Sequence, residues 1–239
     1  MDFSISIRGW SARAPGLVTC EDWMNAAEQT PPRFNHQNPL GKLKNLSTIM
    51  ARRLNSGSRL ALDSALDLFS AHQPDAFVFT CQHGELERNF RILSSLSEGN
   101  GVSPTDFTLS VHNSAVGQLA IMLDSPTIST SISAGEDSFH QGLIEAFSLL
   151  NNGFERILLV DFEGQIPDFY AAHMGNQWPY ACAMIIEKGN DLRCKMMPPP
   201  NFCHQSITLP QSMQFLLYWL SQQQRLVINS QYSHWSWSR

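Results

Sequence analysis

Apolar and polar positions alternate with period two along "FSISIRGW" (Phe3 to Trp10), the pattern of a half-buried strand. The period lengthens in "CEDWMNAAEQ" (Cys20 to Gln29), which predicts a short helix with Trp23 on its buried side. "PPRFNHQNPLGK" is loop by composition. From Met50 to Ala71, Leu54, Leu62, Ala65, Leu66 and Phe69 fall at helical spacing, with Gly57 marking a break. "DAFVFTC" (Asp75 to Cys81) is short, aromatic and β-branched between Pro74 and Gly84, as a fully buried strand is. Helical signals follow at Glu85 to Ser97 and Asn113 to Leu123, a strand at Thr127 to Ser133 and an apolar helix at Asp137 to Leu150. Arg156 to Glu163 and Tyr180 to Gly189 complete the set as core strands. The alternation predicts an α/β fold: a mixed, mostly parallel five-stranded sheet with helices on both faces. No internal repeat or low-complexity tract interrupts it.

After residue 190 the texture changes. "MMPPPNFCHQSITLP" is a proline-rich connection, and in "QSMQFLLYWLSQQQR" Met213, Leu216, Leu217 and Leu220 line one helix face. The tail "INSQYSHWSWSR" sets Trp235 and Trp237 among small polar residues. The chain therefore divides into a domain over 1–190 and a C-terminal appendage over 191–239. The appendage reads either as a helix packed back on the sheet with a loosely ordered tail, or as a partner-binding element.

Composition narrows the function classes. Hydrophobic residues make up 43% of the chain and charged ones only 15%, so a partner covers part of the surface or that surface is polar without charge. A net charge of -5 offers no general attraction to nucleic acid or anionic membrane. No run of about 18 apolar residues is present to span a bilayer. "MDFSISIRGW" lacks the basic region and apolar stretch of a secretory signal. Five cysteines (Cys20, Cys81, Cys182, Cys194, Cys203) make no CxxC pair, and the eight histidines make no HExxH or His-Cys cluster. A cytoplasmic, metal-free and cofactor-free protein is the expectation. No GxSxG, Walker loop or dinucleotide fingerprint is present.

The order and wording of the elements resemble the N-terminal half of a β-ketoacyl synthase, a thiolase-fold condensing enzyme, from about residue 3 to about residue 190. "ISIRGWSARAPG" resembles that family's opening strand and turn. "NSAVGQLAIMLDSPTISTSISAGEDSFHQGLIEAFSLL" resembles its helix, dimer strand and buried nucleophile helix, and "NQWPYACAMIIEKG" its entry to the last strand of that half. Within the family the chain is most similar to the short chain-length factors of aryl polyene gene clusters, which pair with a complete ketosynthase.

The departures from the family decide what the resemblance implies. Condensing enzymes carry a cysteine where the nucleophile helix begins, and ungapped placement puts Ala134 there, flanked by Ser133, Gly135 and Glu136. A methyl group forms no thioester. The family's active-site histidines come from a C-terminal half that this chain does not resemble, and His204 and His234 lack the glycine-rich surroundings. The resemblance thus implies a non-catalytic subunit that completes a ketosynthase dimer and shapes the acyl pocket. It also implies contact with acyl carrier protein through the complex. Ser133-x-x-Glu136 fits a capping box for the following helix. Interface or tunnel candidates are Phe107, His112, Asn113 and the strand Thr127, Ile128, Ser129, Thr130, Ser131 and Ile132. Lys42, Lys44, Arg52, Arg53 and Arg59 form a basic stretch suited to an acidic carrier protein, or simply a solvated basic face. Two other readings stay open: a stand-alone thioester hydrolase or acyltransferase using Cys81 or Ser133, and a homodimeric carrier-protein-binding scaffold.

Overall fold

All five residues of Ala76–Thr80 are buried, and such a strand needs cover on both faces. In the computed structural model, which describes residues 1–29, 35–174, 178–198 and 209–239, helices provide that cover. The strands are β1 (Asp2–Arg13), β2 (Ala76–Thr80), β3 (Ile128–Ile132), β4 (Arg156–Glu163), β5 (Tyr180–Met197), β6 (Arg225–Asn229) and β7 (His234–Ser238). The helices are α1 (Cys20–Glu28), α2 (Thr48–Arg53), α3 (Ser56–His72), α4 (Leu86–Ser97), α5 (Pro104–Thr108), α6 (Ser114–Leu123), α7 (Ser138–Asn151), α8 (Asp168–Ala171) and α9 (Gln211–Leu220).

The strands form one seven-stranded sheet in the order β3-β2-β4-β5-β7-β6, with β1 paired to β5 off that path. The α/β architecture is as read from the sequence, but the sheet has seven strands rather than five. Only β2-β3 and β2-β4 are parallel, whereas β4-β5, β1-β5, β5-β7 and β6-β7 are antiparallel. Burial on both faces produces the same apolar runs whichever way a neighbour points, so the hydrophobic pattern carried no information on strand direction. β5 joins the two kinds of pairing: β4 runs against Tyr180 to Glu187, and β7 against Arg193 to Met197.

Each face has its own core. On one, Trp23, Phe139, Leu143, Met213 and Phe215 from α1, α7 and α9 pack over Ile157, Met184 and Ile186. On the other, Leu62, Ala65 and Leu119 from α3 and α6 cover Phe77, Phe79 and Leu158. α7 approaches the sheet closely because residue 142 is glycine: a Cβ there would lie 2.4 Å from Thr80 Cγ2 and 2.9 Å from Leu159 Cδ1. The helix expected from Met50 to Ala71 is two helices, broken at Leu54 and Asn55 rather than at Gly57. Gly57 instead lets the first turn of α3 touch the end of β4, since a Cβ would meet the Gly164 nitrogen at 2.6 Å.

The tail corrects the expectation of loose order. α9 stops at Leu220, and β6 and β7 form a hairpin that extends the main sheet. Trp235 and Trp237 are fully buried, and Trp237 packs against Phe215 (centroids 4.6 Å) and Phe3 (5.9 Å). The alternation of "HWSWS" is a strand signal in its own right, buried on its tryptophan face. Residues 199–208 of the proline-rich connection, with Cys203 and His204, lie outside the described residues. Trp237→Ala is expected to lower stability by about 3–5 kcal/mol in urea unfolding, the usual loss for a large buried aromatic. A loss below about 1 kcal/mol would return the tail to the surface.

Candidate functional site

The parallel strands β2, β3 and β4 end side by side, and the residues following them form one knitted cluster. Cys81 follows β2, and its amide donates to the Ile132 carbonyl of β3 at 3.2 Å. Ser133 follows β3, and its hydroxyl donates to the Gln82 carbonyl at 2.9 Å. Glu163 closes β4; it accepts from Cys81 Sγ at 3.2 Å and from the His83 amide at 3.1 Å, and pairs with His83 Nδ1 at 3.0 Å. His112 Nε2 donates to the Cys81 carbonyl at 3.0 Å. Loops at the carboxyl ends of parallel strands are where α/β proteins assemble sites.

Burial pushes the Cys81 thiol well above its ordinary value, and the neighbouring Glu163 carboxylate raises it further. A reactive thiolate needs the opposite setting. Deeper in, Asp161 accepts from Thr80 Oγ1 (2.6 Å), Tyr180 OH (3.0 Å) and Ser212 Oγ (2.5 Å). Burial raises its carboxyl to about 6 against the lowering effect of those three donors. The same burial, and then the proximity of Asp161, pushes the Tyr180 phenol well up. Among the described residues no group of three or more His, Cys, Asp or Glu is arranged to hold a metal ion.

The turn from β3 into α7 is exposed from Ser133 to Glu136, with Gly135 at φ +59°. The capping box expected from Ser133 and Glu136 is absent. α7 begins at Ser138, too late for either side chain to cap it, and its N-cap is Asp137 without a side-chain cap. Ser138 Oγ instead accepts from the Ala134 amide at 2.9 Å and donates to the Gly135 carbonyl at 2.7 Å. Ala134 therefore stands at the tip of an ordered turn with no nucleophilic atom.

What holds the turn comes from the C-terminal elements. The buried Asp137 carboxylate accepts from Trp235 Nε1 (2.8 Å), Gln211 Nε2 (2.9 Å) and Ser230 Oγ (2.8 Å). Gln211 Oε1 also accepts from His140 Nδ1, and Trp237 Nε1 donates to His140 Nε2 at 3.0 Å. These two bonds fix the Nδ1–H tautomer, and the ring stacks on Trp235 at 4.4 Å. Complete burial lowers the His140 pKa to about 4, so the imidazole is neutral. Sequence reasoning missed this network; the one signal for it was the period-two spacing of Trp235 and Trp237.

The remaining candidates fall in two places. Among the described residues β3 pairs only with β2, and Ile128 is 54% exposed; Ser129 is exposed, and Thr127, Thr130, Ser131 and Ile132 are half-buried. Phe107, on α5, is 65% exposed. Asn113 precedes α6 without making a side-chain cap. Lys42 and Lys44 are exposed, while Arg52, Arg53 and Arg59 line one cleft together with Arg88 and Arg91.

Comparison with known families matches the profile described as "Beta-ketoacyl synthase, N-terminal domain" over residues 22–238. Among solved structures, a chain of the ketosynthase ApeO in complex with its chain length factor ApeC from Xenorhabdus doucetiae is 43% identical, with a TM-score of 0.95 over 99% of this chain and 100% of that one. A chain of the ishigamide ketosynthase/chain length factor is 16% identical, with a TM-score of 0.66 over 82% of this chain and 68% of that one. The type II acyl-carrier protein complex AntDE:AntF, described with its ketosynthase bound to the hexaketide, gives 12% and 0.63 over 84% and 71%. At these lower identities the likeness is one of fold. Comparison with curated protein sequences finds no match. No helix among the described residues is long and apolar enough to cross a membrane.

The two buried titratable groups have opposite pH signs. The folded value for His140, about 4 against 6.5, means that its contribution is present above 6.5 and lost as pH falls through 4. The folded value for Asp161, about 6 against 3.8, means that its contribution is present below 3.8 and lost as pH rises through 6. Asp161→Asn is therefore expected to gain on the wild type by about 2–3 kcal/mol between pH 4 and pH 7 in urea unfolding. Parallel stability curves would contradict the burial assigned to Asp161. For the thiols, an alkylating reagent is expected to label exposed Cys20 in the native protein and to leave Cys81 unmodified until unfolding, as peptide mass mapping reads directly.

Proposed function

The chain belongs to the β-ketoacyl synthase family, and we propose that within it the protein is a non-catalytic, chain-length-factor-like subunit that pairs with a catalytic ketosynthase in aryl polyene biosynthesis. One observation carries the reading: among the described residues an open, neutral edge strand leads into an ordered turn with Ala134 at its tip, where the resemblance places the nucleophile. The first feature provides a surface for a partner strand. The second removes the thioester chemistry that a self-sufficient ketosynthase needs. The similarity to a chain of a ketosynthase–chain length factor complex supports the same assignment.

The physical logic is that of an edge. β3 contains no lysine, proline or bulge among Ile128–Ile132, so its outer N–H and C=O groups are open to pairing. In thiolase-like dimers the corresponding strand pairs antiparallel with its counterpart across the two-fold axis. Here the partner strand would be the ketosynthase's, in an interface of roughly 2,000 Å² or more. α6 packs beside β3, and Ile121 of α6 is exposed. In this reading Phe107 and His112 wall the acyl pocket and limit product length. Carrier protein reaches the complex with the basic stretch of this chain contributing attraction. The described cysteines are all free, in keeping with the cytoplasm.

The stand-alone hydrolase reading is weaker on the same geometry. The Cys81 thiol is buried and held protonated against Glu163, and the Ser133 hydroxyl is engaged with a backbone carbonyl. Co-expressed with its ketosynthase, the chain is expected to elute as a 1:1 complex, and Ile128→Lys, at an exposed edge position, to abolish it. Intact-mass spectrometry is expected to find no acyl adduct on this chain after incubation with acyl carrier protein thioesters. A stoichiometric adduct on Ser133 or Cys81, or a stable monomer indifferent to both the ketosynthase and Ile128→Lys, would overturn the reading.

A further inference from the structure

Five arginines line one open cleft of ≈310 Å³ beside the first turns of α3 and α4. Arg52 and Arg53 come from α2, Arg59 from α3, and Arg88 and Arg91 from α4. Only one of them is neutralised by a close carboxylate: among the described residues, the ion pair within 4.0 Å is Arg88 with Asp106. The rest of their bonding is to neutral acceptors. Arg59 Nε donates to the Leu54 carbonyl at 2.7 Å, Arg91 Nη2 to Asn55 Oδ1 at 2.9 Å, and Arg88 Nη2 to the Arg53 carbonyl at 2.6 Å. Glu87 also lines the cleft, but its Oε1 already accepts from the Ser56 amide and hydroxyl and from the Gln165 amide.

Five arginines against two acidic residues, Glu87 and Asp106, give the lining an excess of three positive charges. Bringing like charges together in this way costs stability unless a counter-charge sits among them. The bonds to Leu54, Asn55 and Arg53 orient three of the planes at the outset, so less side-chain freedom is lost on binding a ligand. Arg88 is almost wholly buried, and its Nε has no partner. Lys42 and Lys44, from the same basic stretch of sequence, do not line the cleft. The feature is thus a built concavity, set apart from the general basic face.

We infer that this cleft is a binding site for a phosphate-class anion. A single carboxylate is satisfied by one guanidinium fork, whereas several forks around one space match the three or four oxygens and multiple charge of a phosphate. The anion comes either free in solution or on a pantetheine arm. The inference does not rest on the heterodimer reading, since every lining residue is on this chain.

Isothermal titration of the purified complex, or of the chain alone if it purifies alone, with inorganic phosphate and separately with phosphopantetheine tests it. The ketosynthase, titrated by itself, sets the baseline. One saturable site per copy of this chain is expected, at least about tenfold weaker in the Arg52→Gln/Arg91→Gln double variant, whose changes fall on exposed side chains. The Lys42→Gln/Lys44→Gln variant is expected to bind as the wild type does. Binding of both probes identifies a free anion, and binding of phosphopantetheine alone identifies the carried arm. No saturable binding of either, or equal weakening in both double variants, would overturn the site.

Discussion

A buried carboxylate must be met by donors, and the fold is arranged around how Asp137 meets that demand. An unpaired charge in a protein interior is costly by several kcal/mol. Here three donors reach it from three separate stretches: Gln211 at the start of α9, Ser230 after β6 and Trp235 in β7. All three are remote in sequence from the helix whose N-terminus they secure. The negative charge also complements the positive end of α7. His140, one turn on, repeats the arrangement in neutral form, bridging Gln211 to Trp237. The C-terminal hairpin is therefore part of the machinery that fixes the turn at Ala134.

That anchoring gives the sheet two unlike ends. Toward the C-terminus, β6 and β7 continue the sheet and bury two tryptophans over α9 and α7. At the opposite end β3 has a single neighbour among the described residues. α7 is gripped against β2 and β4 at Gly142 and by the C-terminal hairpin through Asp137, so β3 and its turn are held in place without a partner strand. An edge held rigid in this way loses little conformational entropy on pairing, which favours a lasting interface over a transient one.

Much of this was legible in the sequence. The alternation of strand and helix, the burial of Trp23 and the short core strand at residues 76–80 were all readable from pattern. The hairpin was not, because "INSQYSHWSWSR" was read by its small polar residues although its tryptophans recur with period two. Strand direction was hidden by two-sided burial. The capping box failed because α7 begins at Ser138, which places Ser133 and Glu136 ahead of the helix. Arg88 and Arg91 were passed over because they sit some thirty residues from the basic stretch that they join in space. Contacts between distant segments are what a linear pattern cannot carry.

The central claim is that β3 is completed by a ketosynthase strand, and hydrogen–deuterium exchange tests it most directly. Peptides covering Thr127 to Ser133 are compared in the chain with and without the ketosynthase, at concentrations where the chain alone remains monomeric. The prediction is slower exchange at these amides on complex formation, with β6 at the other end of the sheet unchanged. A stable 1:1 complex in which residues 127–133 exchange as fast as in the free chain would contradict it.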